Sequence, residues 1–306
     1  MLFRTLILQA SALPFVKRFV RESRLFRPIV RRFIAGETLD DAMSAATSLV
    51  DEGFRVSLDL LGENVATLEE AHAATAAYQQ VLDRIAGSPQ REMINISIKL
   101  TALGLDQGDE VAEANYRDLL QSASKSGTFV RADMEASEYT ARTVEIVERV
   151  HRSFANTGTV LQSYLYRTDG DLERLIAAGI RVRIVKGAYL EPPEVAFPEK
   201  ADVDAKYLEQ AKKLLLRGHY PAIASQDELL INRILDFVEA RGIEKDRFEF
   251  QMLYGIRRDL QHRLLAAGYR VRIYIPYGEA WYPYFSRRLA ERPANLLFIT
   301  RSLLHK

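Results

Sequence analysis

From Tyr282 to Asn295 the chain reads YPYFSRRLAERPAN. As a helix, this stretch places Tyr284, Arg287, Arg288 and Glu291 on one face. Their i, i+3, i+4, i+7 spacing ordinarily builds an apolar stripe. Phe285 and Leu289 fall on the opposite face and are the apolar side. Two adjacent planar guanidiniums can grip one oxyanion through paired N–H donors, which suits a carboxylate or a phosphate. The ordinary alternative is a solvated face with an i,i+4 pair between Arg287 and Glu291.

Other polar residues sit inside apolar runs. Lys99 closes INISIKL, and Asp133 closes FVRAD. Gln162 lies in VLQSY, Arg183 and Lys186 in RVRIVKGAY, Gln251 in FEFQML, and Tyr274 in RIYIP. Strands buried on both faces should be apolar, and a charge there is costly unless it is paired. Singly, each can be a satisfied internal pair, Lys99 with Asp133 for example. Together, near the ends of several strands, they describe a cationic mouth that binds a small anion.

The elements that must position these residues are written in the sequence as a repeat. LIAAGIRVRIVKGAY (175–189) and LLAAGYRVRIYIPYG (264–278) are each a helix end, an Ala-Ala-Gly stop and a strand. Gly179 and Gly268 stand where a helix end needs a left-handed residue. Six further runs read as strands: 54–63, 93–101, 128–135, 159–166, 220–227 and 248–255. Helical stretches alternate with them. Eight strands alternating with helices predict an α/β protein, a (β/α)8 TIM barrel, with the arginine helix following the eighth strand. An open doubly wound sheet is the competing architecture, but the chain contains neither G-x-G-x-x-G nor a P-loop.

The totals exclude some functions. A net charge of +1 over 306 residues gives no global attraction to nucleic acid. Without Cys there is no disulfide or thiolate nucleophile, and five scattered His make a zinc site unexpected. Residues 1–35 differ: eight basic residues and one acid give +7, interleaved with Phe15, Phe19, Phe26, Ile29, Val30 and Phe33. Such a segment reads as a basic amphipathic arm, placed either on a membrane surface or against its own domain. The division expected is an arm over 1–36 and a barrel over 37–306. No cleaved signal peptide is expected.

As a set, ISIKLTALGLD, RADME, VLQSYLYRT, RIVKGAYLEP, FEFQMLYG and YFSRRLAE resemble the FAD-dependent proline dehydrogenases of the monofunctional bacterial type. The resemblance runs from about residue 36 onward. It implies a distorted TIM barrel whose final helix lies over the flavin. It also implies hydride transfer from L-proline to FAD, giving 1-pyrroline-5-carboxylate, with a membrane quinone taking the electrons. By the same resemblance Lys99, Arg287 and Arg288 hold the substrate carboxylate, and Tyr189, Leu253, Tyr274 and Tyr284 wall its ring. Asp133, beside Lys99, and Arg183 belong to the catalytic centre. Met134, Gln162, Arg183, Lys186, Gly187, Ala188, Ser225, Gln226 and Glu291 hold FAD, with Lys200 near it. Glu63 pairs with the first arginine as a gate.

One departure stands out. The family usually carries Thr-His where this chain has Ser225 and Gln226, which keeps the hydroxyl but removes a possible positive charge. The resemblance places the enzyme in the cytoplasm, peripheral on the inner face of the membrane through residues 1–35. Pyrroline-5-carboxylate dehydrogenase is expected as a separate protein, and no nucleic acid as a partner. Two other functions compete: a non-catalytic anion- or phosphate-binding barrel, and a flavin barrel acting on another cyclic amino acid.

Overall fold

The computed structural model describes Arg18, Val20 and residues 27–291, of which 27, 28 and 289–291 by backbone alone. Among the described residues, α1 (Arg27–Phe33) and α2 (Leu39–Asp51) precede the first strand. Then follow β1 (Arg55–Leu60), α3 (Leu68–Ala86), β2 (Ile94–Ile98), α4 (Asp109–Ser126), β3 (Val130–Ala132) and α5 (Ser137–His151). The chain continues with β4 (Thr157–Gln162), α6 (Thr168–Ala177), β5 (Arg181–Val185) and α7 (Lys200–Arg217). The described residues then run through β6 (Ala222–Ala224), α8 (Glu228–Ala240), β7 (Glu249–Leu253), α9 (Arg258–Ala266), β8 (Val271–Tyr277) and α10 (Trp281–Glu291).

The eight strands close in sequence order into a parallel barrel, β1 pairing with both β2 and β8. Local chemistry starts and stops the helices as it should. Thr38 and Asp41 form a capping box at α2, and the Thr67 hydroxyl accepts from the Glu70 N–H at α3. The repeated Ala-Ala-Gly stops behave as expected, with Gly179 at φ 68° and Gly268 at φ 83°.

Each strand has two kinds of face. Val56, Leu58, Ile94, Ile96, Ile98, Val182, Ile184, Phe250, Met252, Ile273 and Ile275 are buried in the main apolar core with the helices. The alternate positions turn into the lumen and are polar: Ser57 and Asp59, Ser97, Arg131, Arg183, Glu249 and Gln251, Arg272 and Tyr274. Arg183 on β5 donates to Ser97 on β2 at 3.1 Å, a contact between non-adjacent strands that only the lumen allows. The expectation that strands should be apolar on both faces therefore holds only for the outer face. Inside, the barrel is filled by a hydrogen-bonded polar network.

A second, smaller core lies outside the barrel. Ile29, Val30, Phe33 and Ile34 pack with Leu61 and with Trp281, Tyr282, Tyr284 and Phe285 of α10. The described part of the N-terminal arm thus packs on its own domain; residues 1–26, apart from Arg18 and Val20, lie outside the described residues. Among the described residues no helix is long and apolar enough to cross a membrane.

Candidate active site

Parallel strands bring the ends that follow them to one mouth. Lys99 lies just past β2, Asp133 past β3, Gln162 ends β4, Lys186 to Tyr189 follow β5, Ser225 and Gln226 follow β6, and Leu253 ends β7. Arg183 and Tyr274 project from within β5 and β8. Helix α10 carries Tyr284, Arg287 and Arg288 to the same end.

Arg183 is fixed on three sides. Its Nη1 donates to Asp133 Oδ1 at 2.7 Å, its Nη2 to Ser97, and its Nε to Gln251 Oε1 at 2.5 Å. The Tyr274 hydroxyl donates to the other Asp133 oxygen at 2.7 Å, and the Arg183 guanidinium lies 5.1 Å from the Tyr274 ring centroid. Burial, reinforced by the Asp133 charge, holds the Tyr274 phenol well above its ordinary pKa, so it remains a donor.

Lys99 does not pair with Asp133, the pairing the sequence suggested. Its ammonium donates to Asp59 Oδ1 at 2.7 Å, with both groups buried. Burial pulls the Lys99 pKa down, but the Asp59 carboxylate outweighs it and holds the pKa well above the ordinary value. Asp59 stands inside β1, two residues beyond the lumen-facing Ser57, and sequence reasoning missed it. An acid in an otherwise apolar strand, in step with the serine, was the signal available.

Arg287 meets an anion from outside its own helix. Its Nη1 pairs with Glu63 at 2.9 Å, and its guanidinium lies 5.8 Å from the Tyr189 ring centroid. Against burial, Glu63 keeps the Arg287 pKa raised. Arg288 stacks over Tyr284 at 5.4 Å. The Glu291 side chain lies outside the described residues. Three cations, Lys99, Arg183 and Arg287, therefore each have a carboxylate, and these six charges sum to zero. The mouth is less cationic than the sequence implied.

A second missed acid is Glu135. Thr101 donates to it through both its N–H and its hydroxyl. Burial pushes the Glu135 carboxyl up to about 7, with the Thr101 hydrogen bonds opposing.

Further round the mouth, the Gln162 amide donates to the Glu135 carbonyl at 2.9 Å and accepts from the Ala188 N–H at 3.2 Å, fixing the turn after β5 that contains Gly187. Lys186 pairs with Asp204 at 2.7 Å and Asp227 at 2.9 Å, and Lys200 joins the same two acids. The Ser225 hydroxyl accepts from the Asp227 N–H at the start of α8. Met134 is buried and Leu253 half-buried. These donors fit the FAD that the resemblance implies: an amide and a guanidinium for a polar ring, a hydroxyl and two ammoniums for phosphates. The ammoniums are already shared with two aspartates, so that end is locally neutral.

The chain was compared with known proteins. A family model described as Proline dehydrogenase matches residues 42–301. The chain is 39% identical to the proline dehydrogenase of Deinococcus radiodurans over 306 residues, covering 99% of this chain and 98% of that one. It is 40% identical to proline dehydrogenase 2 of Bacillus subtilis over 275 residues, covering 90% of each. Among solved structures, proline utilization A of Bdellovibrio bacteriovorus, inactivated by N-propargylglycine, superposes with a TM-score of 0.82 at 26% identity. The match covers 95% of this chain and 36% of that larger one.

Proposed function

The chain belongs to the proline dehydrogenase family, and we propose that it oxidises L-proline to 1-pyrroline-5-carboxylate with FAD as hydride acceptor, the first step of proline catabolism to glutamate. The observation that carries this reading is the placement of Arg287 and Arg288 on α10 above a lumen centred on Arg183, Asp133 and Tyr274.

The substrate is a small zwitterion. Arg287 and Arg288 hold its carboxylate, and Lys99, kept charged by Asp59, adds a third donor. Tyr189, Leu253, Tyr274 and Tyr284 wall the ring. Removal from water beneath α10 favours the neutral amine over the ammonium, so one N–H proton leaves to solvent. The ring carbon next to nitrogen then loses hydrogen as hydride, two electrons depart with it, and the C–N bond becomes C=N. When bound, FAD supplies the two-electron acceptor. Arg183, immobilised by Asp133, Gln251 and Ser97, stabilises the negative charge that develops beside it. Met134, Gln162, Lys186, Gly187, Ala188, Ser225, Gln226 and Glu291 are assigned to holding FAD.

The electrons pass on to a membrane quinone, with the basic arm over residues 1–35 holding the enzyme against the inner face of the membrane. The product goes to a separate pyrroline-5-carboxylate dehydrogenase.

The test is the visible spectrum of the purified protein without oxygen, before and after L-proline. Yellow protein bleached by L-proline and not by D-proline is the expected result. Yellow protein that does not bleach would move the assignment to another substrate. Colourless protein that FAD cannot restore would overturn the flavoenzyme reading in favour of an anion-binding barrel.

A further inference from the structure

At the opposite end of the barrel, where the strands begin, lies a cavity of about 350 Å3. Six arginines line it: Arg55, Arg91, Arg131, Arg181, Arg270 and Arg272. Only two acids, Glu92 and Glu249, share the lining. Arg272 is neutralised by Glu249 through two contacts of 2.7 and 3.1 Å, and Arg270 lies 3.7 Å from Asp246. Arg55, Arg91, Arg131 and Arg181 have no ion-pair partner among the described residues.

Arg131 is the most telling. It is 2% exposed, and its Nη1 donates to the carbonyls of Thr159 and Arg181. Its Nε is buried and has no acceptor among the described residues; the same is true of Arg181 Nε. The two guanidiniums share one ring, Phe129, at 5.0 and 5.1 Å, and Arg181 also lies 5.1 Å from the Tyr220 ring centroid. Burial, aided by the nearby Arg183 charge, lowers the Arg131 pKa to about 9. A stabilising plug would satisfy its buried donors, because an orphaned one costs roughly 1–3 kcal/mol and more when charged. Here cations outnumber acids around an open volume, and two of the lining arginines carry buried donors without acceptors among the described residues.

We propose that this lower mouth is a second binding site, which takes a small polyvalent oxyanion of the phosphate or polycarboxylate kind. Planar guanidiniums recognise both through paired N–H donors, and the excess of arginine over acid calls for more than one negative charge. The site is separate from the substrate mouth, because the lumen between them is filled by Ser57, Ser97, Arg183 and Gln251.

Calorimetric titration of the full-length holoenzyme at low ionic strength tests this, with pyrophosphate and citrate as probes. One-to-one binding is expected in the unaltered protein. It should survive in Arg288→Met and weaken about tenfold or more in Arg181→Gln. Arg91→Gln removes a cation whose side chain is exposed, so it tests the site even where Arg181→Gln fails to fold; it should weaken binding and leave the KM for L-proline unchanged. Tight pyrophosphate and weak citrate would identify a phosphate ligand; comparable affinities would mean recognition by charge alone. Absence of binding, or binding lost in Arg288→Met and retained in Arg91→Gln, would overturn the proposal.

Discussion

Glu63 follows β1 and Arg287 lies on α10; they are 224 residues apart in the chain and form a 2.9 Å ion pair. Each side chain is about a quarter exposed, at 24% and 22%, so the pair is worth roughly 1 kcal/mol. As a latch between α10 and the barrel, it predicts that Glu63→Gln raises the KM for L-proline by about threefold with little change in kcat. A lowered KM would show instead that Glu63 competes with the substrate carboxylate.

On the proposed reading, Arg288→Met removes one jaw of the carboxylate clamp. The loss corresponds to roughly 2–5 kcal/mol of binding, so KM should rise steeply. Steady-state kinetics with L-proline decides it, and an unchanged KM would eliminate Arg288 from the clamp.

Glu135 gives a pH signature. Its folded pKa of about 7 stands above its ordinary 4.5. A raised acid stabilises the fold fully below the ordinary value, and that contribution is lost as pH rises through about 7. The amplitude is roughly 3 kcal/mol. Urea unfolding at pH 5.5 and 8.5 should show a loss at the higher pH that Glu135→Gln removes. An identical pH dependence in the variant would place the titration elsewhere.

Glu249 shifts the other way. Burial opposes its charge, yet Arg272 and Gln251 hold its carboxyl down at about 2. It therefore stabilises the fold above its ordinary 4.5, and that contribution is lost as pH falls toward 2. Arg272→Met leaves this buried carboxylate without its ion-pair partner and should cost about 3–5 kcal/mol by chemical denaturation. Adding Glu249→Gln should recover much of that loss; no recovery would mean that Arg272 acts through packing and its bond to the Val56 carbonyl.

Phe285 is buried in the small core under α10, 5.9 Å from the Trp281 ring centroid and 6.5 Å from that of Phe33. Phe285→Ala should cost about 3–5 kcal/mol of local packing. The expected outcome is faster amide hydrogen exchange confined to α1 and α10 with a higher KM for L-proline. Exchange accelerated equally in the barrel strands would show that the two cores unfold as one.

The order of strands was legible because each carries its own start and stop, as the left-handed Gly179 and Gly268 show. The arginine helix was legible because its stripe is polar where a stripe should be apolar. The partners of those charges were not. Lys99 meets Asp59, and Arg287 meets Glu63, through closure of the barrel, and nothing local to either sequence encodes that register. Strand lengths were overread at β3 and β6, which contain three residues each: burial continues past their ends through polar residues such as Asp133 and Ser225, in loops that line the mouth.

The small core also has a history during synthesis. Glu37 bonds to the Trp281 indole across 244 residues, and the apolar side of α1 packs on residues of α10. At about 5–20 residues per second, the ribosome takes roughly 10–50 s to deliver that partner. For this interval Ile29, Val30 and Phe33 emerge without their permanent cover, while the βα units assemble behind them. The Glu63–Arg287 latch then forms only after the barrel framework is in place.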